Sequence, residues 1–292
     1  MDTQQTTPIG LVLEGGGMRG MYTCGILDVL MQHDIWLDAM VGVSAGIAFG
    51  CNYKSRQPGR ALRYNARFAH DKRYSGMRSL ITTGNYYNAD FAYHKVPRSY
   101  DIFDRDAFEL SPMACWAVCT DVDTGEAVYQ RLTRADDECL EWIRASSSMP
   151  VVAQPVELNG RRLLDGGLSD SIPIDFMLRQ GYGHNIVVLT REQGYVKSAE
   201  RWLWLMRPLL RRYPQVVKAL ERRPDLYNRQ VQRVAELERE GSVLVFRPDG
   251  PLDISRTCHD PKQMARVYQL GRNQALARLA EVRAFIGQTS DK

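Results

Sequence analysis

Within the first 54 residues, two five-residue apolar runs each break at a glycine-containing turn and give way to a helical pattern. Ile9–Leu13 runs into Glu14-Gly15-Gly16-Gly17, after which Cys24, Leu27, Leu30 and Met31 recur at helical spacing as far as His33. Ala39–Val43 ends at Ser44, and Ala45-Gly46-Ile47-Ala48-Phe49-Gly50 starts a second helix. Short apolar runs bounded by turn signals read as buried strands. Strands that alternate with helices pair in parallel, because the helix carries the chain back across the sheet. A chain that opens this way is committed to an α/β sheet.

The rest of the chain extends that sheet. Residues 55–110 are polar, rich in Arg and Tyr, and read as helices with long loops. Met113–Thr120 returns to strand character. Val156–Leu158 and Arg161–Leu164 flank Asn159-Gly160, a hairpin turn whose two residues tolerate positive φ. Asn185–Leu189 and Val243–Arg247 read as further strands. From Pro261 to Ile286, Met264, Val267, Leu270, Leu276, Leu279, Val282 and Ile286 keep a helical register. One α/β domain with a helical C-terminal elaboration is the simplest account.

Composition removes several classes. With 44% hydrophobic and 25% charged residues over 292, the chain is not disordered and can bury a sizeable core. Its longest stretch without charge, Ala39–Tyr53, has 15 residues, and a membrane-spanning helix needs about 20 apolar ones. The first fourteen residues lack Lys and Arg, so they do not read as a signal peptide. Six cysteines without a C-x-x-C motif suggest buried thiols in a reducing compartment, and five scattered histidines suggest no metal. A net charge of +4 is too mild to imply nucleic acid. The expectation is a cytoplasmic protein.

Gly15-Gly16-Gly17-Met18-Arg19-Gly20 satisfies G-x-G-x-x-G between strand and helix, where unpaired backbone N–H groups suit an anion. That anion could be a pyrophosphate or the oxyanion of acyl transfer, and the glycines could also serve packing alone. A dinucleotide site wants an acid at the end of the second strand, and here the strand ends Val41-Gly42-Val43-Ser44. Gly42-Val43-Ser44-Ala45-Gly46 is a G-x-S-x-G elbow that lifts a serine clear of the sheet. It comes too early for an ordinary α/β-hydrolase, and neither His184 nor His259 lies in a motif for its base.

Asp165-Gly166-Gly167 follows the hairpin strand. By itself it reads rather as a turn aspartate bonding its own backbone, a very common use. In combination, the G-G-G-x-R-G loop, the G-x-S-x-G elbow and the D-G-G turn about 120 residues later resemble the patatin-like phospholipase family in order and context. Thr120-Asp121 with Thr124-Gly125-Glu126, Ala145-Ser146-Ser147-Ser148-Met149-Pro150 and Leu168–Ile174 look like further segments of that family. D-G-G stands where D-G-A is commoner, and Arg19 stands where the family usually has Arg or Lys. The resemblance covers residues 8–190, leaving 191–292 as a mainly helical extension packed on the same domain.

The resemblance implies a three-layer α/β/α sandwich with a mainly parallel sheet, hydrolysing lipid acyl esters without calcium or a cofactor. Ser44 would be the nucleophile and Asp165 its proton acceptor, without histidine. Gly15, Gly16, Gly17, Arg19 and Gly20 would form the oxyanion hole, Gly42 and Gly46 the elbow, and Gly166 and Gly167 the aspartate turn. Burial beside Leu163 and Leu164 would raise the Asp165 pKa toward that of a useful base. A transacylase would use the same residues, and a silent lipid-binding scaffold would be expected to lose them.

Between Lys197 and Arg223, eight basic residues and two acids give a local +6, interleaved with Trp202, Trp204 and several leucines. Arg201, Trp202, Trp204 and Arg207 are candidates to face an anionic bilayer, giving peripheral contact at the inner face of a membrane. The alternative is a helix whose apolar side packs on the domain. No nucleic-acid reading motif accompanies the charge, and the sequence does not set an oligomeric state.

Overall fold

The computed structural model describes residues 7–199 and 203–288. In chain order, the first half holds β1 (Ile9–Leu13), α1 (Met21–Gln32), β2 (Ala39–Val43), α2 (Ala45–Lys54), α3 (Arg60–Arg67) and α4 (Met77–Thr83). A π-helix (Asp90–Tyr100) and α5 (Arg105–Leu110) follow, then β3 (Ala114–Asp121), β4 (Ala127–Arg131) and α6 (Asp137–Ser146). The second half holds β5 (Val156–Leu158), β6 (Arg161–Asp165), α7 (Ile174–Arg179), β7 (His184–Val188) and α8 (Leu203–Leu209). It ends with α9 (Pro214–Arg239), β8 (Val243–Phe246), α10 (Pro261–Ala277) and α11 (Leu279–Gln288).

Among the described residues the sheet has eight strands in the order β5-β6-β3-β2-β1-β7-β8, with β4 also paired to β3. β3, β2, β1, β7 and β8 are mutually parallel, while β3 pairs antiparallel with β4 and β6. Every residue of β1 and β2 is buried. Continuous apolar runs, not alternation, are what parallel strands covered on both faces require. Leu11, Leu13, Met40, Ala117 and Val188 turn to a core shared with α1, α2, α6 and α10. Val12, Val41, Val43, Val118 and Val187 turn to the opposite core, shared with α7 and α9. The result is the three-layer sandwich.

The chain leaves β1 toward β2 on one side and returns to β7 on the other, so the strand order reverses at β1. Open α/β sheets bind ligands at the carboxyl ends of strands beside such a reversal. The glycine loop and Ser44 follow β1 and β2 at that edge.

Two features of the second half emerge only in the fold. Of the apolar residues in helical register, Leu270 and Leu276 are exposed, and α10 buries Met264 and Val267 together with Gly271 and Ala275. Small residues serve there because α10 lies against α1 at backbone distance. The +6 segment does not turn all of its charge outward. Lys197 is buried with its ammonium over the Tyr227 ring, Arg223 turns inward, and Arg207 pairs with Glu221.

All six cysteines are buried and free. No helix among the described residues is long and apolar enough to cross a membrane.

Candidate active site

Strand register brings the serine and aspartate motifs together. β2 pairs with β3 at Val43↔Val118, and β3 pairs with β6 at Cys119↔Asp165. Ser44, one residue past Val43, is therefore level with Cys119 and Asp165. At about 4.8 Å per strand, the outer two backbones stand roughly 10 Å apart. Side chains reaching over the middle strand span that gap, and the Ser44 hydroxyl comes near enough to the Asp165 carboxyl to favour its charged form.

Ser44 sits at φ 54°, ψ −124°, a conformation that costs a non-glycine residue about 1–3 kcal/mol. Several bonds hold it there. Its N–H donates to Ser146 Oγ (2.9 Å), and Ser146 Oγ donates in turn to the Val118 carbonyl (2.6 Å). Ile47 and Ala48 N–H groups both close on the Ser44 carbonyl. The elbow can press against the glycine loop only without side chains. A Cβ on Gly46 would lie 2.4 Å from the Leu13 carbonyl oxygen, and one on Gly15 would lie 2.9 Å from Ser44 Cβ. Gly42 closes on the Ile47 backbone in the same manner.

Asp165 is buried at the end of β6. Its Oδ1 accepts the Gly167 N–H (2.7 Å), and its own N–H donates to the Ser148 carbonyl (2.8 Å). Gly166 lies against the Val118 carbonyl. Oδ2 is buried and makes no hydrogen bond of good geometry among the described residues. Burial pushes the Asp165 pKa above the ordinary carboxylate value, opposed by the Ser44 hydroxyl, the Arg223 charge and the Gly167 N–H. A carboxyl with one unpaired buried oxygen is short of solvation and disposed to accept a proton.

Glu14 anchors the entry to the glycine loop. Its Oε2 accepts the Thr190 N–H (2.5 Å) and its Oε1 accepts the Tyr227 hydroxyl (2.9 Å). Within the loop, Met18 N–H donates to the Arg256 carbonyl and Arg19 N–H to the Gly16 carbonyl. The N–H groups of Gly15 and Gly16 bond no other described group. Of the five loop residues singled out in the sequence, Gly15 to Gly17 line the cavity with their backbone, whereas Gly20 packs on Phe49. The Arg19 side chain is buried with Nε unbonded, and burial and the Arg191 charge, against the pull of Glu14, lower its pKa to about 10.

Ser44, Asp165 and the glycine loop open onto one cavity of about 460 Å³. Its walls are mostly apolar and aromatic, including Phe49, Tyr64, Tyr93, Leu140 and Ile143. Burial raises the pKa of Tyr64 and Tyr93, so both line it as neutral phenols. His259 bridges the Tyr86 hydroxyl and the Ala69 carbonyl, and His184 opens β7. Neither histidine lines the cavity.

Trp204 on α8 is 67% exposed, while Arg201 and Trp202 lie outside the described residues. Sequence reasoning missed Ser146, which braces the Ser44 elbow, and Glu14, Arg223 and Tyr227. Only Ser146 had a signal, the run of small residues before Pro150.

The profile of a family described as patatin-like phospholipase matches residues 11–178, and a domain of unknown function (DUF6363) matches residues 213–287. An uncharacterized Escherichia coli protein, YjjU, is 31% identical over 218 residues, covering 67% of this chain and 57% of its own length. Lysophospholipase NTE1 of Candida albicans is 27% identical over 187 residues, covering 62% of this chain and 13% of its own. The chain thus spans about half of the first relative and a small part of the second. The solved structure of VipD from Legionella pneumophila aligns with 94% of this chain and 67% of its own at TM-score 0.48 and 13% identity.

Proposed function

The chain belongs to the patatin-like phospholipase family, and on that footing we propose that it hydrolyses lipid acyl esters with Ser44 and Asp165 as a catalytic dyad. One observation carries the reading: a strained serine and a buried, under-bonded carboxyl share the mouth of an apolar cavity with a glycine loop that has unbonded N–H groups. Similarity to a lysophospholipase supports lipid as the substrate class.

In this reading Ser44 Oγ bonds to the ester carbonyl carbon as its proton passes to Asp165. The carbonyl oxygen becomes an oxyanion facing the Gly15, Gly16 and Gly17 N–H groups, where one donor is typically worth about 3–4 kcal/mol. Collapse breaks the bond to the alcohol, which takes the proton from Asp165. Water then attacks the acyl-serine by the same route and releases the fatty acid. Asp165 fills both proton-transfer roles, so the scheme calls for no calcium.

The test is labelling with a fluorophosphonate and mapping of the modified residue. The expected result is adduct on Ser44, absent in Ser44→Ala, with phospholipid or lysophospholipid esters cleaved by the parent protein. A well-folded parent that takes no label would sink the hydrolase reading and favour a silent lipid-binding scaffold.

We further propose that the protein meets lipid through α8. Leu203 and Met206 pack inward on Leu210, Val216 and Leu220, and Met206 lines the cavity. Trp204 and Leu209 face outward, 67% and 66% exposed. Apolar side chains on a helix beside the site suit the headgroup boundary of a bilayer. Trp204→Ala with Leu209→Ala is expected to weaken co-sedimentation with anionic vesicles several-fold, leaving cleavage of a soluble short-chain ester unchanged. Vesicle binding that ignored both substitutions would rule this surface out.

A further inference from the structure

Ser44, Asp165 and the glycine loop all lie before residue 178, yet side chains that brace the aspartate turn and the glycine loop come from α9. Arg223, Tyr227 and Gln230 stand at i, i+4 and i+7, which places them on one face of a helix. Arg223 Nε donates to the Gly167 carbonyl (2.6 Å), on the turn that carries Asp165. The Tyr227 hydroxyl donates to Glu14 (2.9 Å), the residue that opens the glycine loop. Gln230 accepts the Ile172 N–H (3.2 Å) and donates to Asp170, just past the aspartate turn. Val216 and Leu220 of the same helix pack on Leu164 and Leu168, on either side of Asp165.

We infer that α9 is a positioning element of the hydrolytic site, with Arg223 clamping the aspartate turn and supporting the Asp165 charge while Tyr227 fixes Glu14 and the glycine loop behind it. The inference rests on the Ser44–Asp165 reading and deepens it. The residues beyond 190 then belong to the catalytic apparatus, because they hold both its base and its donors in place.

Charge separates this role from ordinary packing. Several groups face the Asp165 carboxyl: Ser44 from the elbow, the Gly167 N–H from its own turn, Tyr93 from the π-helix, Cys119 from β3, Arg256 from the loop after β8, and Arg223. Burial raises the pKa of Tyr93 and Cys119, so both stay neutral. The cations are Arg223 and Arg256, and Arg256 is exposed and so screened by solvent. Of the two cations, Arg223 gives the stronger support to an ionised Asp165.

The experiment follows the rate of fluorophosphonate labelling of the full chain against pH for parent, Arg223→Gln, Arg223→Lys, Tyr227→Phe and Asp165→Asn, with thermal unfolding confirming that each variant is folded. Arg223→Gln is expected to move the acid limb to higher pH, so that at the foot of the limb labelling is slower by about 3- to 10-fold beyond whatever loss the plateau shows. Arg223→Lys keeps the charge and is expected to bring the limb back toward the parent. Tyr227→Phe is expected to lower the plateau on the order of tenfold without moving the limb, through misplacement of the loop.

If Arg223→Gln scales the profile uniformly and Tyr227→Phe labels like the parent while Asp165→Asn is dead, α9 merely packs and the inference falls alone. If Asp165→Asn labels like the parent, the dyad reading falls and takes the inference with it. Should Arg223→Gln fail to fold, Arg223→Lys and Tyr227→Phe decide the question, since a parent-like plateau in Tyr227→Phe overturns the clamp.

Discussion

Asp165→Asn is expected to slow ester hydrolysis by about 10⁴–10⁶-fold, the scale on which single members of serine catalytic sets act, while leaving the protein folded and more heat-stable at neutral pH. Asparagine keeps the shape of the side chain and an oxygen to accept the Gly167 N–H, so only the base is removed. The gain in stability follows from burial, which raises the Asp165 pKa in the fold above its unfolded value of about 3.9. Folding then favours the protonated form. Stability is whole below the unfolded pKa and is lost as pH rises through the folded one. A neutral asparagine avoids that loss, so the Tm advantage of the variant should shrink on acidification. Under the proposed mechanism hydrolysis is expected to run oppositely, because the base must be ionised, and to fall as pH drops through the raised pKa. Calorimetry and steady-state kinetics across pH read both trends, and parent-like turnover in the variant would exclude Asp165 as the base.

This opposition between stability and chemistry explains why the central motifs could be read from the sequence. A serine forced to positive φ, glycines pressed between backbones and a carboxyl on a glycine turn are all local departures from ordinary strand and helix sequence. The strands were legible because parallel strands buried on both faces must be continuous apolar runs, as Ile9–Leu13 and Ala39–Val43 are. The hairpin was legible because Asn159 and Gly160 both take positive φ.

What stayed hidden depends on contacts between distant segments. Arg223, Tyr227 and Gln230 form an unremarkable polar row on a helix until that helix is docked against Gly167 and Glu14. Counting charge along 197–223 did not single out Lys197 and Arg223, because sequence carries no record of which side chains turn inward. Nor does the apolar register of 264–286 show that α10 meets α1 closely at Gly271, with Leu270 and Leu276 left exposed.

That close approach makes Gly271→Ala and Gly25→Ala the substitutions with the largest expected structural effect. A Cβ on Gly25 would lie 2.0 Å from the Tyr268 carbonyl oxygen, and one on Gly271 would lie 2.0 Å from that of Tyr22. Both obstacles are backbone, so relief requires the helices to part. Propensity argues the other way, since alanine in a helix is favoured over glycine by about 1 kcal/mol. Forced separation strips contacts from Tyr22, Leu27, Met264 and Val267 in the shared core, and overpacking of this kind costs about 1–3 kcal/mol or more. The collision should win, lowering Tm by roughly 5 °C for either variant, at about 2–4 °C per kcal/mol for a large domain. Gly287→Ala in α11, where a Cβ would meet nothing within 4 Å, is the matched control and should hold or raise Tm. Because Gly25 and Gly271 guard the same crossing, helices already parted by one alanine have room for the second. The double variant should therefore lose distinctly less than the sum of the two, and full additivity in thermal unfolding would show that the two glycines do not share one contact.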